Sequence, residues 1–108
     1  MKTQHFKLVI ADEIPEQLLE GWLYVSRKYR TSSHLCPCGC GSRVATPFSH
    51  GYWSLKIVLW WATLYPSIGN AHLPCRSHYW IRRNRVVWAP PMHISGMASG
   101  RDSDTIYP

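Results

Sequence analysis

Three of the four cysteines fall within five residues, in His34-Leu35-Cys36-Pro37-Cys38-Gly39-Cys40-Gly41, and the fourth follows in Pro74-Cys75-Arg76-Ser77-His78. Thiolates and imidazoles are the ligands zinc prefers, so a metal bridging the two stretches would pin the middle of the chain to its C-terminal third. Disulfides are the competing reading. Cys36, Cys38 and Cys40 lie too close in sequence to bridge one another without severe strain, which favours the metal. Sulfurs around one tetrahedral zinc sit about 3.8 Å apart. Alternate residues of an extended strand are separated by about 6.5–7 Å. The segment must therefore curl, and Gly39 and Gly41 permit the backbone angles that this requires. Their N–H groups are also free to approach bound sulfur.

Cys75 and His78 have a spacing that lets two ligands from one turn reach a single ion. The metal candidates are Cys36, Cys38, Cys40, Cys75 and His78, with His34 beside them, and they outnumber the positions on one tetrahedral site. Four bound cysteines make a closed, structural centre. If His78 replaces one, a thiol is freed. Three protein ligands leave a position for water, and hydrolysis becomes accessible. Zinc hydrolysis needs a general base, and the carboxylates are few: Asp12, Glu13, Glu16 and Glu20 early, Asp102 and Asp104 near the end. Glu20 is the best placed, against the alternative of a solvated helix-end glutamate. Ser67 is an oxyanion-donor candidate, against a turn serine bonding its own backbone. His34 completes the catalytic candidates, against a surface or hydrogen-bonded core histidine.

These groups must be held by a chain of 108 residues, enough for one modest core that a metal would help to close. Phe6 to Ile10 reads as a strand, and Pro15 opens a short helix that Gly21 ends. Trp22 to Ser26 reads as a strand, Thr31-Ser32-Ser33 as a lead into the cysteines, and Arg43 to Thr46 as a strand closed by Pro47. Trp53 to Leu64 is the most hydrophobic stretch and is assigned as strand. Tyr65-Pro66-Ser67-Ile68-Gly69-Asn70 is turn chemistry suited to a functional loop, and His78 to Trp88 is a hairpin around Arg83-Asn84. The expectation is a mainly β single domain of short strands and hairpins with one short helix, stabilised by zinc over 1–89, with an irregular extension over 90–108. The N-terminus lacks the pattern of a signal peptide and no apolar run is long enough to span a bilayer, so the expected location is cytoplasmic, with no membrane partner.

Twelve Lys and Arg against six Asp and Glu give a formal charge of +6. That balance favours acidic partners, whether nucleic acid or protein. Six tryptophans and six tyrosines exceed what one small core must bury, which points to a binding surface.

The ordered series His34 to Gly41, Thr46-Pro47, Trp53-Ser54-Leu55, Thr63 to Asn70 and Pro74 to Ile81 resembles a small cysteine-rich bacterial domain family, first catalogued without a function. Its members are encoded beside bacterial ubiquitin-like conjugation genes, including those of antiphage defence. The resemblance implies a metal-dependent peptidase that trims or removes a ubiquitin-like protein, with that protein and its conjugation enzymes as partners. It also implies that Cys36, Cys38, Cys40, Cys75 and His78 lie at or near zinc, with Ser67 in an adjoining loop.

Two further functions compete with a zinc peptidase. One is a non-catalytic module whose zinc is structural and whose aromatic, basic surface binds a protein. The other is nucleic-acid binding through Arg76, Arg82, Arg83 and Arg85, interleaved with Tyr79 and Trp80. The first predicts four protein ligands and no nearby carboxylate; the second predicts binding that falls steeply with added salt.

Overall fold

The computed structural model describes residues 2–48 and 51–90. The extension expected over 90–108, with Asp102 and Asp104, lies outside the described residues except for Pro90. Eight strands form two four-stranded sheets, in orders β1-β2-β3-β4 and β5-β6-β7-β8. The mainly β expectation is met.

In the first sheet, β1 (Lys7–Ile10) runs parallel to β2 (Trp22–Ser26), and β3 (Thr31–Leu35) and β4 (Arg43–Ala45) follow antiparallel. The aromatic and β-branched run of β2 suits a pleated, buried surface, and Leu23, Tyr24, Val25 and Ser26 are all buried. Polar Thr31-Ser32-Ser33 is a strand rather than a lead-in. Its polarity is accommodated because Ser32 and Thr46 exchange backbone hydrogen bonds and their hydroxyls bond each other.

The helix expected over Pro15 to Glu20 is not formed, and the described residues contain no helix. A turn and a half is too short to repay helix nucleation, and the sheet takes the backbone groups instead. Arg43 donates to the carbonyls of Pro15 and Glu16 at 3.3 and 2.7 Å, and the Leu19 N–H donates to the Tyr24 hydroxyl at 3.0 Å.

In the second sheet, β5 (Ser54–Val58), β6 (Trp61–Gly69), β7 (His78–Arg82) and β8 (Arg85–Trp88) are antiparallel throughout. The stretch assigned as one strand from Trp53 to Leu64 is a hairpin. It turns at Leu59-Trp60, with Val58 opposite Trp61. Leu59 takes a left-handed φ of 57°, where glycine or asparagine is usual, so the turn carried no sequence signal. Tyr65 to Gly69, read as a loop, is the second half of β6. The expected β7–β8 hairpin is present, with Arg83 and Asn84 both at positive φ.

One core draws on both sheets, including Leu23, Val25 and Val44 from the first and Leu64, Ile68, Tyr79 and Ile81 from the second. The N-terminal segment ties them further. Phe6 donates to the Asn84 carbonyl and Val86 to that of Gln4, just before β1 joins the other sheet.

Candidate active site and cysteine centre

Cys36 lies just past β3, Cys38 and Cys40 lie in the following turn, and Cys75 lies in the β6–β7 connection. Their four sulfurs are all within 4.8 Å of one another. Cys36 Sγ is 3.5 Å from Cys38 Sγ and 3.8 Å from Cys75 Sγ, and Cys40 Sγ is 3.8 Å from Cys75 Sγ. These separations are far too long for a disulfide and match the edge of a sulfur tetrahedron around zinc, about 3.8 Å. All four cysteines are free. Gly39 and Gly41 adopt φ of 94° and 83°, which supplies the curl that the close spacing demands.

The donor set therefore fits a zinc ion with four cysteines and no position left over. Burial pushes the Cys36 thiol up to about 12, whereas the Ser42 side chain holds Cys40 down to about 6. A bound cation favours the thiolate at every ligand. Ser77 Oγ lies 3.0 Å from Cys36 Sγ and accepts from Asn70 Nδ2 at 3.0 Å, so the centre is wired into both ends of the β6–β7 connection.

His78 stands outside this sulfur group. Its Nε2 is 2.8 Å from Ser67 Oγ, and its Nδ1 is 3.1 Å from the Pro90 carbonyl oxygen. A carbonyl can only accept, so Nδ1 carries the proton, which leaves the Nε2 lone pair to accept from the serine hydroxyl. The strands make this meeting possible. His78 is opposite Gly69, and the register shifts between Leu64 and Ile68, so Ser67 sits in a bulge beside the start of β7. Ser67 is itself buried, at 7% exposure. Its backbone oxygen accepts from Trp53 Nε1 at 3.3 Å.

The remaining sequence candidates lie elsewhere. His34 is fully buried on β3, with Nε2 2.7 Å from the Tyr79 hydroxyl and Phe6 against its ring. Desolvation drives its pKa down to about 3, so the imidazole is neutral. Glu20 is exposed on the turn before β2 and has no hydrogen-bond or ion-pair partner among the described residues. Tyr79, an expected stacking ring, is wholly buried, which removes it from any nucleic-acid surface. Arg82 instead covers the Trp80 ring at 5.0 Å. No helix among the described residues is long and apolar enough to cross a membrane.

The family described as bacterial ubiquitination-like system serine protease (BubE) matches residues 10–89, well over half of the chain. The chain belongs to the BubE family. No curated protein and no solved structure matches it. The BubE description corrects the expected chemistry, since it names a serine protease and not a metallopeptidase. The Ser67–His78 pair was not read as such from the sequence because each residue had another attraction: Ser67 a turn, His78 the neighbouring Cys75. Pro90 could not have been found, since any residue offers a carbonyl.

Proposed function

We propose that the protein is a serine protease that cleaves a bacterial ubiquitin-like protein, with Ser67 as nucleophile and His78 as general base. The observation that carries this reading is the ordered chain Ser67 Oγ, His78 Nε2, His78 Nδ1, Pro90 O. The imidazole takes the hydroxyl proton as Oγ attacks the scissile carbonyl, and later gives it to the leaving amine. The Pro90 carbonyl fills the place of the orienting acid: it fixes the tautomer and ring plane without adding a full negative charge. Water then releases the acyl group from Ser67 by the same route.

In this reading Cys36, Cys38, Cys40 and Cys75 would hold zinc, whose contribution is to tie the first sheet to the β6–β7 connection. The metal belongs to the scaffold, as the non-catalytic hypothesis required, while the peptidase activity implied by the resemblance rests on serine. Free, clustered thiols suit a reducing compartment, which supports a cytoplasmic location.

The test is incubation with a ubiquitin-like precursor encoded beside the gene, read by mass spectrometry. A shortened product is expected, and Ser67→Ala or His78→Ala should lower its rate by at least about a thousandfold. A fluorophosphonate should label Ser67 and no other serine. Undiminished cleavage by Ser67→Ala would rule the reading out.

A further inference from the structure

A groove of about 820 Å³ is bounded by Arg27 and Arg30 from the β2–β3 turn, Phe48 and Trp53 from the β4–β5 connection, and Leu55 and Pro66 from the second sheet, and it reaches Ser67 only through its neighbours Pro66 and Trp53. Pro66 immediately precedes the serine, and Trp53 holds the Ser67 carbonyl through its indole N–H. The wall is itself held in place: Phe48 donates to the Arg30 carbonyl at 3.1 Å, and Trp53 donates to that of Pro47 at 3.0 Å.

Two features say what occupies it. The first is charge. Arg27 and Arg30 are exposed on one rim, and neither guanidinium has an ion-pair or hydrogen-bond partner among the described residues. Arg30 stands at φ 55° in the turn, one of several non-glycine residues in the left-handed region. The second is the sheet edge. Among the described residues, β5 pairs with β6 alone, so its outer edge offers free backbone N–H and C=O groups along the groove.

We infer that this groove is the substrate-binding channel, taking an extended peptide along the β5 edge, apolar side chains against Phe48 and Trp53, and a carboxylate on Arg27 and Arg30. The inference rests on Ser67 as the reacting group only for its direction. A single-stranded nucleic acid would also answer to arginines and rings, but the groove has two cations on one rim and mixed polar and apolar walls without further charge among the described residues, too little charge to follow a phosphate backbone. An acidic side chain and a chain terminus are the two sources of such a carboxylate; both present the same planar anion to a guanidinium.

The test uses the metal-loaded Ser67→Ala protein, so that binding is read without cleavage. Three fluorescein-labelled octapeptides of alternating Leu and Ala are compared by anisotropy. One carries two Glu and an amidated end, one carries two Gln and a free C-terminal carboxylate, and one carries two Gln and an amidated end. At least one of the acidic peptides should bind about tenfold or more tightly than the neutral one, and the arm that gains identifies the source of the carboxylate. The advantage should fall to within about twofold in Arg27→Gln/Arg30→Gln and return in Arg27→Lys/Arg30→Lys, since a point charge restores attraction. Circular dichroism confirms that each variant keeps its strands. Equal binding of all three peptides, an advantage that survives the Gln pair, or tighter binding of a twelve-residue oligo(dT) would each overturn the channel. Because Ser67 is absent throughout, none of these results depends on whether the serine is the nucleophile.

Discussion

His78 and His34 show how neighbours decide the use of one residue type. His78 is half-exposed, with both nitrogens engaged and a serine on the basic one. His34 is sealed in the core, where its Nδ1 has no hydrogen-bond partner among the described residues. Its folded pKa of about 3 lies below the ordinary 6.5, so protons bind the unfolded chain first. Stability from neutral His34 is therefore complete above pH 6.5 and declines as pH falls toward 3, by at most about 1.4 kcal/mol per pH unit. Urea unfolding between pH 7 and 5 should show a steeper decline for the native chain than for His34→Gln. Metal release acts on both and cancels in the difference; parallel declines would show that His34 is not buried in its neutral form.

At the level of elements, the two hairpin turns of the second sheet depend on one side chain. Asn84 sits at φ 67° in the β7–β8 turn, and its Oδ1 accepts from the Ala62 N–H at 2.6 Å while its Nδ2 donates to the Trp60 carbonyl at 2.9 Å. It thereby fastens the β5–β6 turn, whose own residues, Leu59 and Trp60, have poor turn chemistry. Asn84→Ala should cost about 2–4 kcal/mol, from the left-handed backbone and the buried groups left unpaired. Asn84→Gly keeps the backbone freedom and should lose about half as much. Equilibrium denaturation measures both, and a loss below about 1 kcal/mol for Ala would show that the turn holds without the asparagine. The bulge in β6 matters in the same way for the Ser67–His78 contact, since a regular ladder there would move Ser67 away from His78.

For the whole molecule, the four sulfurs add a further tie between sheets that also meet through one small core, the N-terminal segment and the His34–Tyr79 hydrogen bond. Structural zinc contributes about 10–16 kcal/mol of apparent binding energy in small domains, comparable with the whole stability of a domain this size. The purified protein should carry one zinc per chain by elemental analysis. Chelation or Cys75→Ser should abolish the cooperative thermal transition, and cleavage should be lost with the fold. A chelated protein that melts as before would show that the sheets need no metal. A folded but inactive chelated protein would return the ion to the chemistry.

Much of this was legible in residue types and short spacings. The mainly β class followed from aromatic and β-branched runs, the gathering of cysteines from three thiols in five residues, and the β7–β8 hairpin from Arg83-Asn84 between apolar flanks. The elements that were misread are those settled by distant partners. Arg43 and Tyr24 take the backbone groups a helix over Pro15 to Glu20 would have used, and Asn84 secures a turn at Leu59 that local propensity disfavours. The same holds for the site. Composition and spacing determine that thiols can hold a soft metal, because ligand chemistry belongs to the side chain itself. Only the tertiary structure decides that His78 faces Ser67 instead of the sulfurs, because a strand register and a bulge, set by packing across both sheets, choose which neighbour an imidazole meets.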